Sequence, residues 1–359
     1  MSERNPKLLV AGGGTGGHVF PGLAIAEAWV RSGGEAVFVG TPQGQETTHV
    51  PKAGFELHLL NVGRLKGYGL LFKIKTLLGL PKALWQAKGI LRKENPDVVL
   101  GIGGYASGPA CIVAAFTGRF VALADQNAHP GLTNRVLSRF AKVVYTSFEE
   151  SAAFFPSKKV NCFGNPIRAQ ISKSAYEISK DEFHVFVFGG SQGAVGMNRL
   201  WLEALALIPD CWNKLRIVHQ AGATDEDEIK EFYHKNNLKA EVSRFFDDMS
   251  ERYRWSHLLV CRSGAGTVTE LALCGRPAVL VPYPQAADDH QTKNARAFVH
   301  GGGCWLMPQD SDPSELAAIL KESMEHPESL AKKATIMETL ARPNAATDIV
   351  SDLKRRVNV

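Results

Sequence analysis

The sequence predicts an α/β protein built as two doubly wound domains in tandem. Three observations carry that reading. Short, nearly continuous apolar runs alternate with longer helix-like segments along the whole chain, as buried parallel strands and their crossover helices do. The chain has 359 residues, enough for about two domains at ~150 residues each. It also begins twice. LLVAGGGTGG near residue 10 and VFVFGGSQG near residue 188 share a strand, a Gly-Gly pair, a hydroxyl residue and a further glycine, and each runs into a helix-like pattern.

Taken in order, the strand candidates of the first half are KLLVAG, EAVFVG, ELHLLNV, VVLGI, FVALAD and KVVYTS. Those of the second are HVFVFGG, LRIVHQAG, AEVSRFF, HLLVC, PAVLVPY and CWLMP. Val98 to Gly118 carries no charge for 21 residues, long enough to span a bilayer. Its glycines and Pro109 break it instead into a strand, a glycine turn and a helix entered at Pro109. Few apolar residues occur between Gly164 and Phe183. The expected division is therefore a Rossmann-like domain over 1–164, a linker over 165–182 and a second Rossmann-like domain over 183–359, with the last helix free to pack back on the first domain. A cleft between two such domains, beyond the carboxyl ends of the strands, is the natural ligand site.

Composition narrows the class. Hydrophobic residues make up 45% and charged residues 21%, ordinary for a folded soluble protein. The six cysteines form no CxxC pair and read as reduced thiols, not as a disulfide frame or zinc site. The start, MSERNPKLLVAGG, is charged and has no signal-peptide core. Residues 1–164 hold 18 Lys and Arg against 10 Asp and Glu, a net of +8, whereas the remainder holds 23 against 26, a net of −3. A basic first half suggests an anionic partner: a membrane surface, a nucleic acid or a phosphate ligand.

Gly12, Gly14 and Gly17 satisfy G-x-G-x-x-G, but the second strand ends in Gly40, Thr41 and Pro42 where a dinucleotide site wants an acid for the ribose. The same loop misses a nucleoside-triphosphate loop, with His18 in place of lysine and Val19 in place of Ser/Thr. Backbone N–H groups at a helix start still favour an anion, so both glycine loops are candidates to approach phosphate. The alternative is that the glycines serve only tight strand-to-helix packing. In CRSGAGTVTE, Ser263 reads as an N-cap of a helix running through Leu271 to Cys274. Glu270, about two turns in, is either a surface salt-bridge residue or an acceptor for a ribose diol. PYPQAADDHQTKNA gathers Asp288, Asp289, His290, Gln291 and Asn294 at a loop-to-helix junction. It admits a helix cap at Asp289, a metal set, or amides reading sugar hydroxyls. Asp310 and Asp312 resemble a transferase metal motif, but Asp312-Pro313-Ser314-Glu315 is better explained as a helix start.

GGGTGGH, GGYASGP, the DQN of Asp125–Asn127, GNPIR, FGGSQGA, FDDM, CRSGAGTVTE and DDHQTKNA occur in that order over nearly the whole chain. This pattern closely resembles the MurG family, the peptidoglycan N-acetylglucosaminyltransferases of glycosyltransferase family 28. The resemblance implies a GT-B fold and inverting transfer of GlcNAc from UDP-GlcNAc to lipid I, undecaprenyl-pyrophosphoryl-MurNAc-pentapeptide, giving lipid II. It implies donor contacts from Thr15, Gly16, Gly17, Asn127, Arg168 and Ser191. The Phe246 backbone would read uracil. The loop Gly264, Ala265, Gly266, Thr267, Val268 and Thr269 would cradle the nucleotide sugar, with Glu270 on the ribose and Gln291 and Asn294 on GlcNAc hydroxyls. No metal or cofactor is implied. His18 suits a base near neutral pH. Many relatives read HEQN where this chain has Ala124-Asp125-Gln126-Asn127, so Asp125 stands beside His18 as the second candidate for the acceptor's proton. The implied location is peripheral, on the cytoplasmic face of the bacterial cell membrane, with proteins of cell-wall synthesis and division as further partners.

Leu57 to Lys93 contains no acid and eight basic residues, Arg64, Lys66, Lys73, Lys75, Lys82, Lys88, Arg92 and Lys93. Leu70, Leu71, Ile74, Leu77, Leu78, Leu84 and Trp85 follow helical spacing there. A basic, apolar surface segment suits an anionic leaflet, unless its stripe belongs to the core. Another UDP-sugar GT-B enzyme, a glycolipid transferase or a UDP-GlcNAc 2-epimerase, is the nearest alternative, and the epimerase would leave this segment unexplained. The missing strand-end acid disfavours a dinucleotide oxidoreductase. The scarcity of interleaved aromatics, and of any nucleic-acid motif, disfavours nucleic-acid binding.

Overall fold

The computed structural model describes residues 4–62, 70–179, 181–190 and 193–359, without the side chains of residues 70–78. The chain divides into two compact units, residues 1–168 with 342–359, and residues 169–341.

The first unit runs β1 (Lys7–Ala11), α1 (Gly16–Arg31), β2 (Glu35–Gly40), α2 (Glu46–Lys52), β3 (Glu56–Leu59), α3 (Leu70–Glu94), β4 (Val98–Gly101), α4 (Ser107–Phe116), β5 (Phe120–Asp125), α5 (Leu132–Leu137), β6 (Val143–Thr146) and β7 (Val160–Cys162). Its sheet has the order β3-β2-β1-β4-β5-β6-β7 with parallel pairing throughout. The apolar runs of β1, β4, β5 and β6 are buried because helices cover both faces, forming one core around Trp29 and Phe38 and another around Leu91 and Cys111. The uncharged stretch from Val98 resolves into β4, a glycine turn and α4. Among the described residues no helix is long and apolar enough to cross a membrane.

The second unit runs β8 (Phe183–Phe188), α6 (Val195–Ala206), β9 (Leu215–Gln220), α7 (Glu226–Lys235), β10 (Ala240–Ser243), α8 (Met249–Trp255), β11 (Leu258–Cys261), α9 (Ala265–Leu273), β12 (Ala278–Leu280), α10 (His290–His300), β13 (Cys304–Leu306), α11 (Pro313–Glu325) and α12 (Pro327–Leu340). Its parallel sheet has the order β10-β9-β8-β11-β12-β13. The segment expected as a linker splits between the units. Residues from Ala169 onward lie on the second, where the buried Arg276 donates to Ser174 Oγ and Ala175 O at 2.9 Å each and Tyr176 donates to His257 O at 2.7 Å. Asp312 caps α11, its Oδ1 accepting from Ser314 N at 2.9 Å, ahead of Pro313.

The last helix, α13 (Ala345–Val357), belongs to the first unit. Its Ile349, Val350 and Leu353 recur on one helical face and join the core beside Trp29. Tyr145 donates to Asp352 Oδ2 at 2.8 Å, and Arg355 and Arg356 grip the same carboxylate. Burial alone would raise that carboxyl, but the bonds from Arg356, Tyr145 and Arg355 bring it below the ordinary value. Asp352→Ala should destabilise the first unit by about 2–3 kcal/mol, because it strands a buried hydroxyl and removes a charge-assisted bond. The check is the urea midpoint of unfolding at constant slope.

Candidate functional site

A doubly wound sheet offers its ligand site where strand order reverses, outside the carboxyl ends of the strands. In the first unit that point lies between β1 and β4. The turns that follow these strands are GGGTGG and GGYASGP, and they touch backbone to backbone. Gly13 N–H donates to Gly103 O at 3.3 Å. A Cβ at Gly12 would strike Gly103 O, and one at Gly104 would strike Gly13 O. Thr15 then caps α1 from an extended conformation. His18, half-buried in the first turn, places Nδ1 3.2 Å from Thr15 Oγ1. Its ring lies over Gly103, where a Cβ would sit 2.9 Å from Cδ2 and 3.0 Å from Nε2.

Asp125 ends β5, the next strand over, and is buried. Its Oδ2 accepts from Asn134 Nδ2 at 2.9 Å and its Oδ1 from Asn127 N–H at 3.1 Å. Burial pushes the carboxyl up to about 6, against the lowering effect of the bonds from Asn134, Asn127 and Gly131. Arg168 stacks its guanidinium over Phe20 of α1, 4.7 Å from the ring centre.

An acid does reach the end of β2, from the helix that follows it. Glu46, the first residue of α2, is 1% exposed and turns back toward the end of β2. Its Oε1 accepts from Thr41 N and Oγ1 at 2.8 and 3.0 Å, and its Oε2 from Gly14 N at 2.7 Å. The Gly14 N–H that was a candidate for a phosphate thus already holds an anion of the protein.

In the second unit the order reverses between β8 and β11. In sequence, the motifs FGGSQGA and CRSG follow these two strands. Ser191 lies outside the described residues. The helix expected after Ser263 begins at Ala265, so the residues from Ala265 to Thr269 that would cradle the nucleotide sugar are its first turns. Its N-terminus presents main-chain donors, Val268 is core, and Thr269 Oγ1 donates to Ala265 O at 2.6 Å. Ser263 is not the N-cap. Gly264 takes that position, and the Ser263 hydroxyl donates to Gln291 O at 2.9 Å. Glu270 is buried, and its Oε2 accepts from Tyr253 OH at 2.8 Å.

Gln291 accepts from Tyr283 N at 2.9 Å. Asn294 is fully buried and donates to Ser263 O at 3.3 Å, so in this structure it braces the α9 turn instead of presenting an amide. Asp288 and Asp289 precede α10 in the left-handed region, with φ of 55° and 53°. Arg262, at the end of β11, is buried and donates to Val281 O, Pro282 O and Gln309 Oε1 at 3.1, 2.8 and 2.8 Å. Burial lowers it to about 10, which leaves it charged at neutral pH.

Gln220, at the end of β9, joins the segments at Gly190 and Phe246. Its Nε2 donates to Gly190 O and its Oε1 accepts from Phe246 N, each at 3.0 Å. Any base contact from the Phe246 backbone therefore falls to its carbonyl. Gln220, Glu46 and Asn134 carry no motif signal of their own, since each acts on a loop brought near only by folding. Among the described residues one grouping has metal-ligand spacing, Glu56, His58 and Glu94. There Lys93 and Lys7 already pair with the carboxylates at 3.1 and 3.3 Å.

Residues 8–146 match the glycosyltransferase family 28 N-terminal domain, and residues 184–349 its C-terminal domain. Over 348 residues the chain is 44% identical to the UDP-N-acetylglucosamine–N-acetylmuramyl-(pentapeptide) pyrophosphoryl-undecaprenol N-acetylglucosamine transferase of Myxococcus xanthus, covering 96% of this chain and 91% of that one. The chain belongs to glycosyltransferase family 28, with the MurG enzymes. The crystal structure of Acinetobacter baumannii MurG matches it at a TM-score of 0.81 and 30% identity, over 98% of this chain and 99% of that one. A putative UDP-N-acetylglucosamine 2-epimerase from Listeria monocytogenes, at 14% identity and a TM-score of 0.72, covers 99% of this chain and 97% of its own, and shares the GT-B fold alone. The family 28 motifs thus fall at both sheet switch points and at the strand ends beside them.

Gln220→Leu should weaken UDP binding about tenfold, because the Phe246 N–H loses its partner in a buried place at a cost of about 1–3 kcal/mol. Isothermal calorimetry with UDP measures it.

Proposed function

We propose that this enzyme transfers GlcNAc from UDP-GlcNAc to the undecaprenyl-pyrophosphoryl-MurNAc-pentapeptide acceptor, lipid I, with inversion at the anomeric carbon. The observation that carries the reading is the seating of the family motifs at the two switch points, in a chain related to MurG enzymes over nearly its full length.

The second unit holds the donor. The α9 N-terminus, worth roughly half a positive charge, and the buried Arg262 supply positive potential for the UDP β-phosphate as the glycosidic bond breaks. Glu270, oriented by Tyr253, accepts from the ribose diol. Gln291 reads GlcNAc hydroxyls, with Asn294 bracing the turn beside it, and the Phe246 carbonyl reads uracil. Ser191 is assigned to the phosphates on the resemblance alone. The first unit serves the attack, with Thr15, Gly16, Gly17, Asn127 and Arg168 as contacts. The acceptor hydroxyl forms the new bond to the anomeric carbon, UDP departs with the bonding pair, and the hydroxyl proton goes to a base.

His18 is that base. It is half-buried and its ring is seated by Gly103. Asp125, titrating at about 6, is buried behind Asn134 and Asn127 and helps fix the DQN turn. UDP release from UDP-GlcNAc should require a soluble lipid I analogue and yield a disaccharide. His18→Ala should cost about 10²–10⁴-fold in kcat. Gly103→Ala, which drives a methyl group into the imidazole, should cost about 10²-fold with UDP affinity unchanged. Acceptor-independent release or epimerisation would refute the reading.

The membrane surface is the place of this reaction. Ala83, Ala87 and Leu91 turn the inner stripe of α3 to the core, which leaves Trp85 77% exposed. Phe116 of α4, also 77% exposed, lies with its ring tilted against Phe140, the centroids 5.9 Å apart. Exposed Lys82, Lys88, Arg139 and Lys142 belong to the same unit. Arg64 and Lys66, and the side chains of Lys73 and Lys75, lie outside the described residues. Apolar rings among lysines and arginines suit an anionic leaflet, at ~1 kcal/mol for each basic residue near it. Trp85→Glu with Phe116→Glu should abolish co-sedimentation with phosphatidylglycerol vesicles and leave transfer to a soluble acceptor intact.

A further inference from the structure

The Glu46 carboxylate is held by neutral donors, two main-chain N–H groups and one hydroxyl. Its seat is shaped by glycines of the β1–α1 turn, the end of β2 and the turn that follows β2. A Cβ at Gly13, Gly40 or Gly44 would run into the Glu46 side chain. Gln45 N–H also returns to Gly14 O at 3.2 Å, so the start of α2 and the glycine turn hold each other from both sides. One residue past Gly14 stands Thr15, the cap of α1, and three further on stands His18.

Glycine turns at this place in doubly wound folds commonly use their N–H groups on a ligand's phosphate. Here the inward N–H is taken by a side chain of the same unit. We propose that Glu46 is a positioning residue whose carboxylate acts as a resident anion, locking the glycine turn so that Thr15 and His18 are set before any substrate arrives. The turn is thereby occupied at Gly14, and the first unit does not bind nucleotide phosphate there. The link to catalysis rests on the role given to His18 above.

An anion that fills a cage of donors can be replaced by a small one. In Glu46→Ala, kcat for transfer to the soluble acceptor should fall about 10²-fold, and KM for UDP-GlcNAc should rise by a smaller factor through the donor contact at Thr15. Sodium formate at tens of millimolar should recover about tenfold of that loss and raise the Tm of the variant, while sodium chloride at equal ionic strength should do neither. Wild type should respond to neither salt. Glu46→Gln keeps the shape but turns an amide N–H₂ toward the donors. It should lose about tenfold and gain nothing from formate, which keeps the idea testable if the alanine variant does not fold.

Wild-type kcat in either variant overturns the proposal, and so does a loss in Glu46→Ala that formate leaves untouched. If wild type transfers no GlcNAc at all, the functional reading fails by itself. The formate effect on Tm then still decides whether Glu46 is the resident anion.

Discussion

The first unit depends on a place where two stretches of backbone meet. β1 and β4 are neighbours across the switch point, so the turns that leave them emerge side by side. They can share that space because glycine carries no Cβ. Gly12 approaches Gly103 O, Gly104 approaches Gly13, and Gly13 N–H donates to Gly103 O between the two turns. The contact sets where α1 begins, since Thr15 follows directly. The His18 ring then covers the third glycine, Gly103. Chain direction, helix start and imidazole position therefore have one common cause. Any side chain introduced at Gly12, Gly103 or Gly104 acts on all three.

The second unit secures its loops through side chains from strand ends. A one-way chain of hydrogen bonds lies beneath them. Trp201 Nε1–H donates to Tyr233 OH at 2.7 Å, so the Tyr233 hydrogen is directed to His219 Nδ1 at 2.8 Å. His219, pushed down to about 3 by burial, is neutral and keeps its proton on Nε2, toward Asn198 Oδ1 at 3.2 Å. Asn198 in turn donates to Ala221 O and Asp225 Oδ2 at 3.0 and 2.8 Å. The chain ends on the residue after Gln220, so the amide joining the Gly190 and Phe246 loops stands on a rigid base. Buried polar groups satisfied this fully specify one arrangement, at the cost of tolerating few substitutions.

What repeats or alternates could be read in advance. Every apolar run proposed as a strand forms one, and the glycine motifs fall at strand ends, because both signals are local. β7 escaped notice because Val160-Asn161-Cys162 is an edge strand that pairs with a single neighbour and needs no apolar run. Ser263 has the residue type of a cap, but its hydroxyl finds a carbonyl in another turn, at Gln291. Glycine can fill an N-cap without a side-chain bond, so the nearby spacing misled. Glu46 and Asn134 were passed over for a related reason. An acid at the start of a short helix and an asparagine in LTNR look ordinary until the fold brings Gly14 to one and Asp125 to the other.

The resemblance between the two units makes one difference between them informative. Each holds its first glycine turn with a polar side chain from the region after its second strand in sequence, Glu46 after β2 and Gln220 at the end of β9. The polarity of the hydrogen bond is opposite. Glu46 accepts from the turn and brings a negative charge to it, whereas Gln220 donates to the carbonyl of Gly190 and brings none. An anionic ligand is repelled by the first arrangement and not by the second, since like charges within a few ångströms repel. The first glycine turn is left to a different task, the holding of a helix start and its histidine.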